Sequence, residues 1–146
     1  MSGVALSDVT AATVRAVCAL EPSLHQKGYV APNAVSIAQA YFEPAARFKA
    51  VCVGEIPIGF VMWRPHPVPD TANLWRFMID HRHQRQGYGK AALMLLCRDL
   101  RTSGFRTLDT SVVLGDASPL EFYRTLGFRE TGEVLPNGEL GLSLNL

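Results

Sequence analysis

Leu74–Leu96 reads LWRFMIDHRHQRQGYGKAALMLL. Its first part, Leu74–Ile79, is apolar and aromatic and fits a central strand. The polar run that follows cannot continue that strand, so a short loop carries Gln84, Arg85, Gln86, Gly87, Tyr88 and Gly89. From there the periodicity changes. Tyr88, Ala91, Ala92, Leu95, Leu96 and Leu100 recur at helical spacing, which predicts a helix over Tyr88–Ser103 stopped by Gly104. A strand therefore feeds a tight loop that opens a helix. A helix N-terminus exposes unpaired N–H groups and a partial positive charge. Gly87 and Gly89 have no Cβ, so an anion can approach their backbone closely. Arg85 and Lys90 add cationic side chains. Together these features describe a site for a phosphate group.

The glycine pair by itself equally suits a loop that only starts a helix. Two other phosphate motifs are excluded by detail. The P-loop requires Ser or Thr after its lysine, and Ala91 follows Lys90. The dinucleotide fingerprint places a third glycine where Ala92 stands and follows the first strand of its unit, whereas this loop lies mid-chain.

Outward from this stretch, strand-like and helix-like pieces alternate. Val4–Leu6 predicts a short strand. Ser7 or Thr10 can cap a helix running to about Leu20, with Val14, Val17 and Cys18 on one face. Residues 21–32 read as loop, and Asn33 can cap a second helix that reaches about Phe42 before Pro44. Phe48–Val53 and Ile58–Trp63 predict a hairpin around Gly54 and Pro57. The prolines of Arg64–Asp70 demand a loop. Beyond the long helix come a strand at Thr107–Val113, a short helix at Pro119–Leu126 closed by Gly127, and two strands near Arg129–Val134 and Glu139–Leu144 around a Pro-Asn-Gly turn. Hairpins in the first half rule out a doubly wound sheet and leave a mixed α/β sheet with few helices.

The chain has 146 residues, enough for one domain over 1–146, and 48% of them are hydrophobic, which supports a core. Fourteen basic residues against thirteen acidic ones give a formal net charge of +1, too little for a nucleic-acid surface. No apolar run suffices for a membrane span, so no membrane partner is expected. MSGVALSDVT lacks a basic segment followed by an apolar one, so no secretory signal is visible and the expected location is the cytoplasm. Cys18, Cys52 and Cys97 lie far apart, in apolar segments and without zinc-like spacing; they read as small buried hydrophobes. His81 and His83 on a loop make a poor metal site, and no metal is expected.

A second informative stretch is SPLEFYRTLGFRETGE, from Ser118 to Glu133. Ser118 can cap, Pro119 suits a first helical turn, and Phe122 and Leu126 face a core. On composition alone Tyr123 reads equally as a core aromatic with a wet hydroxyl.

The two stretches, in this order, resemble the GNAT superfamily of acetyl-CoA-dependent N-acetyltransferases. Gln84, Gly87 and Gly89 match its Q/R-x-x-G-x-G/A loop, and Phe122, Tyr123, Gly127 and Phe128 match its FY-x-x-x-GF signature. QKGYVAPNAVSIAQAYFEP, WRFMID and TGEVLPNGEL are similar to the bacterial spermine/spermidine acetyltransferases within it. The resemblance implies an α/β (α+β) fold. Its sheet is mixed and mostly antiparallel, with about six to seven strands and about four helices, splayed between the two central parallel strands.

The resemblance also implies residue roles. The CoA pyrophosphate would lie on the backbone of Arg85, Gln86, Gly87, Tyr88, Gly89 and Lys90, with Gln84 opening the loop. The pantetheine arm would pair with Met78 and Ile79, and the Ile79 N–H would hold the oxyanion. Tyr123 would point at the thioester sulfur. Asp116 occupies a position where many members carry an Asn that touches the cofactor arm; an ionised carboxylate there can only accept a hydrogen bond.

The chemistry suits these residue types. A free alkyl amine has a pKa near that of Lys, about 10.4, so neutralising it at pH 7 costs roughly 4–5 kcal/mol without a proton acceptor. A thiolate leaving group has a pKa of about 8.5, and a Tyr hydroxyl, near 10, is protonated and can donate. No covalent enzyme intermediate is required. Some members carry a Glu where Asn73 stands, so the base must lie elsewhere: Asp80, Glu139 and Glu43 are candidates, Asp80 being nearest the cofactor strand. The expected acceptor is a small alkyl amine, in particular a polyamine such as spermidine or spermine. Tyr41, Trp75 and Glu139 are the expected contacts: aromatic faces for cation–π contact, and a carboxylate for charge. The alternatives are another acceptor (amino acid, aminoglycoside or protein N-terminus) and a CoA-binding module without turnover. The superfamily also forms homodimers.

Overall fold

The computed structural model describes residues 3–146. Its strands are β1 (Val4–Ser7), β2 (Arg47–Val53), β3 (Ile56–Pro65), β4 (Thr71–Ile79), β5 (Thr107–Val112), β6 (Arg129–Val134) and β7 (Leu140–Asn145). They form one seven-stranded sheet in the order β1-β2-β3-β4-β5-β7-β6. The α-helices among the described residues are α1 (Val14–Ala19), α2 (Asn33–Ala40), α3 (Tyr88–Thr102) and α4 (Leu120–Thr125). All neighbouring strands are antiparallel except β4 and β5. This is the expected mixed sheet with a parallel central pair. The parallel step needs a long crossover, and α3 provides it.

The sheet has two apolar faces. On one, Leu93, Leu96, Cys97 and Leu100 of α3 bury against Val61, Leu74, Ile79, Leu108 and Val112, joined by Tyr123 of α4 and by Phe128. On the other, Val17 and Leu20 from the α1 region and Ile37 of α2 pack on Ala50, Phe60, Met62 and Met78. The α3 stripe is the one that helical spacing predicted, and burial of each such side chain contributes roughly 1.5–3 kcal/mol.

Some boundaries differ from expectation. Thr10 and Thr13 bond each other in a preceding turn, with the Thr10 N–H donating to Thr13 Oγ1 (2.9 Å), so α1 starts only at Val14. Asn33 does not cap α2. It is the helix's first residue, its side chain is buried, and Nδ2 donates to the Val17 carbonyl (2.9 Å), pinning α2 to α1. That internal bond outweighs a solvated cap. Residues 21–32 are not all loop, since Leu24–Gln26 form a short 3-10 turn. β7 inserts between β5 and β6, an order that strand patterning cannot reveal.

Candidate active site

Pairing between β4 and β5 is brief. Thr71, Ala72 and Asn73 match Thr107, Leu108 and Asp109, and beyond that pair the strands part. Thr110 Oγ1 donates to the Leu74 carbonyl (3.0 Å) and marks the apex of the split. Past the apex, the β4 edge toward β5 is open. The Asp80 N–H donates to Ile58 O across β3 (2.7 Å), so by strand alternation Ile79 and Phe77 turn their backbone groups to the open side. The split continues into a groove of about 1160 Å³.

Most of the expected cofactor residues line this groove: Met78, Ile79, Gln84, Arg85, Gly87, Tyr88, Gly89, Lys90 and Asp116, together with Tyr123. Gln86 does not. The loop is shaped by left-handed residues, Arg85 at φ 63° and Gly87 at φ 82°, the latter capping α3. At Gly87 an added Cβ would meet nothing within 4 Å, so the loop leaves open space there rather than packing against protein. At Gly89 a Cβ would sit 3.3 Å from Phe122 Cζ, so this glycine serves close packing of α3 on α4. Gln84 Nε2 donates to Ile79 O (2.9 Å) and to Gln26 Oε1 (2.8 Å), tying the strand end to the α1–α2 segment. An open strand edge, a glycine-shaped helix start and flanking cations fit a pantetheine–pyrophosphate chain.

Tyr123 is 5% exposed. Its ring is braced edge-on by Phe122 (5.3 Å) and Phe128 (5.1 Å), and Phe122 stacks on Phe77 of β4 (6.1 Å, 14°). Burial pushes the phenol well above the usual tyrosine range, opposed by the nearby Thr110 hydroxyl. The group therefore stays protonated at neutral pH and keeps a proton to give.

The remaining expectations fare differently. Asp80 is 1% exposed and both of its carboxylate oxygens accept hydrogen bonds. Oδ1 accepts from the Glu21 N–H (2.9 Å), while Oδ2 accepts from the Arg82 N–H (3.2 Å) and Nε (2.8 Å). These bonds hold its carboxyl below the ordinary range against the desolvation that would raise it. It braces the loop and lies outside the groove lining, away from a substrate amine. Tyr41 is 83% exposed beside Phe42 and lies outside the groove lining. Trp75 lies on the α2 face, where the guanidinium of Arg64 already covers its ring, Cζ being 3.7 Å from the centroid. The cation–π position expected for substrate is thus filled by the chain itself. Glu139 accepts from Ser111 Oγ (2.8 Å) and Asn137 Nδ2 (2.6 Å).

Sequence reasoning missed several contributors. Tyr29 lines the groove, and its hydroxyl accepts from the Ala117 N–H (3.4 Å). A Cβ on Gly115 would lie 2.3 Å from that hydroxyl, which accounts for the glycine. Trp75 is a β-bulge: Met62 pairs with Arg76 and Trp63 with Leu74, so one extra residue stands between. Arg76 follows it and reaches Gln39 of α2 (3.0 Å). Asp109, the last β5 residue paired with β4, has a buried Oδ1 without a hydrogen-bond partner. No periodicity could have singled out these residues, because each gains meaning only from neighbours distant in sequence.

With this geometry in place, the family model described as "Acetyltransferase (GNAT) family" matches residues 15–128. The chain belongs to the GNAT family of acetyltransferases. Among curated proteins, this GNAT chain is 38% identical over 63 residues to the ribosomal protein bS18 alanine N-acetyltransferase of Escherichia coli. That segment is 43% of each chain, so the match spans under half the length of this relative. An acetyltransferase from Thermus thermophilus superposes with a TM-score of 0.75 at 20% identity, each chain covered fully. The PaiA N-acetyltransferase of Thermoplasma acidophilum, solved in complex with coenzyme A, gives 0.74 at 12% identity, covering 98% of this chain and 99% of that one. At such identities these structures establish the GNAT fold. Among the described residues, no helix is long and apolar enough to cross a membrane.

Proposed function

We propose that this GNAT chain, as one domain over 1–146, transfers the acetyl group of acetyl-CoA to a primary amine by direct attack of the neutral amine on the thioester. The observation that carries the reading is the split of β4 from β5 beyond Asn73, bounded by the glycine-shaped α3 start at one end and Tyr123 at the other. Acetyl-CoA supplies the activated acyl group. The Arg85–Lys90 backbone binds its pyrophosphate, and the open β4 edge orients the arm. Tyr123 stands beside Thr110 at the apex and donates its proton to the departing sulfur. Because the apex lies at Leu74, the Phe77 N–H is two residues nearer the reacting carbonyl than the Ile79 N–H and is the better oxyanion donor.

The amine's proton needs a carboxylate on the opposite face. Asp109 satisfies this: it adjoins the apex and its buried Oδ1 has no partner, whereas Glu43 is held in an ion pair by Arg64 and both oxygens of Glu139 accept from Ser111 and Asn137. Residue similarity to spermine/spermidine acetyltransferases supports a polyamine acceptor, and the E. coli relative supports a protein N-terminal amine. A polycation needs unpaired acids. Here Glu21 pairs with Lys27, Glu43 with Arg64 and Asp80 with Arg82, while Asp109 and Glu139 form no ion pair.

The reading is tested by following thiol release from acetyl-CoA across primary amines. Amine-dependent release is the expected result. CoA binding without release from any amine would instead indicate a binding module.

A further inference from the structure

The apolar core fills the α3 side of the apex, where Leu74, Leu108, Val112 and Tyr123 are buried, and the groove runs on from the split between α3 and the α1–α2 segment. With that side filled, the face left for an acceptor at the apex is the opposite one, which carries Trp75, Arg76, Ser111 and Glu139. Two guanidinium groups govern that approach. Arg64 lies flat on the Trp75 ring; its Nη1 binds Glu43 Oε1 (2.7 Å) and its Nε binds Asn73 Oδ1 (3.3 Å). Arg76 lies 5.3 Å from the same ring. It is half-buried, yet its hydrogen bonds go only to neutral acceptors: Nη1 to the Trp75 carbonyl (3.0 Å) and Nη2 to Gln39 Oε1 (3.0 Å). Its Nε is buried and unbonded. No carboxylate among the described residues forms an ion pair with it.

A half-buried cation without a contacting anion is costly, and burial pulls the Arg76 guanidinium below its ordinary range, opposed by Glu139 and reinforced by Arg64. Each of its Nη groups retains one N–H, a fork suited to a carboxylate. The β-bulge at Trp75 is what brings this side chain to the α2 face beside the apex.

We propose that the amine acetylated by this chain carries a carboxylate close to its nitrogen, which Arg76 binds with Arg64 beside it. This rests on the N-acetyltransferase reading and narrows its substrate class. The carboxylate has two chemical sources, the α-carboxylate of a free amino acid or an acidic side chain near a peptide N-terminus. The excluded class is the polyamine.

The test compares kcat/KM, by thiol release, for matched acceptors: free glutamate against glutamine amide, a short peptide with Asp at its second position against its Asn counterpart, and spermidine. Each is run with the wild type, Arg76→Gln and Arg76→Lys, with CoA binding as the check that each variant is folded. At least tenfold preference for a carboxylate member over its neutral partner is expected, and the preferred pair names the source. In Arg76→Gln that ratio should fall close to one through a raised KM, and Arg76→Lys should restore part of it. Equal rates within both pairs, a preference for spermidine, or a ratio unchanged in Arg76→Gln would overturn the proposal and leave the acetyltransferase reading standing. No thiol release with any acceptor, in protein that binds CoA, would overturn both.

Discussion

The two sides of the β4–β5 split are built from different materials. Toward α3, the proposed pyrophosphate and pantetheine site rests on backbone: an open strand edge, a left-handed Arg85 and Gly87, and the start of a helix. On the α2 side, the proposed acceptor face is all side chain: Arg64 from β3, Trp75 and Arg76 from β4, Gln39 from α2, Asp109 and Ser111 from β5, and Glu139 just before β7. A backbone site is written in consecutive residues and survives changes elsewhere. A side-chain site assembled from distant elements can change its ligand by a few substitutions while the cofactor half stays fixed.

The sharpest break in this division comes at Tyr123, which serves both sides. Tyr123→Phe removes one oxygen from a braced ring, so CoA affinity should stay within a few-fold while the single-turnover rate falls by at least ~10²-fold. An unchanged rate would reduce Tyr123 to packing. The next effect belongs to the acceptor face alone. Asp109→Asn should lower kcat/KM by about 10²-fold at pH 7, with CoA affinity preserved. The deficit should shrink as pH rises toward the amine's own pKa, because the amine then loses its proton unaided. A deficit constant with pH would deny Asp109 the role of proton acceptor.

Gly87→Val addresses the cofactor side alone. A β-branched residue at φ 82° is strained by about 1–3 kcal/mol and places methyl groups in the open space where phosphate must lie. Calorimetry should show CoA binding weakened by roughly 10- to 100-fold, with acceptor discrimination intact at saturating acetyl-CoA.

Asp80 provides the smallest effect and belongs to neither side. Its lowered folded-state pKa means that its stabilisation is present above the unfolded value of about 3.9 and is lost as pH falls through the folded one. Asp80→Asn should cost about 2 kcal/mol in urea unfolding at pH 7, and the gap to wild type should close below about pH 4. A gap that persists in acid would mean that the charge contributes nothing.

The same division explains what could be read in the amino-acid sequence. The long α3 stripe, the strand before it and the Gln84–Gly89 loop were legible because periodicity and glycine placement are local. So was the short helix bearing Tyr123. The acceptor face was not. Trp75 and Glu139 were picked by residue type, yet the first ring is covered by Arg64 and the second carboxylate is bonded by Ser111 and Asn137. Asp80 looked suitable by its position after the cofactor strand, but a buried carboxylate gathers donors, and three bonds claim it. The inverted order of β6 and β7, which brings Glu139 against Ser111, leaves no mark on strand patterning.

The central claim is that acetyl passes directly from the cofactor side to an amine on the other side. A single turnover with acetyl-CoA and an amine, followed by thiol assay and intact mass of both amine and protein, tests it most directly. The account predicts one thiol released per acetylated amine and an unmodified protein when the amine is omitted. An acetylated protein formed before the amine is added and consumed by it, or bound acetyl-CoA that releases no thiol to any amine, would contradict it.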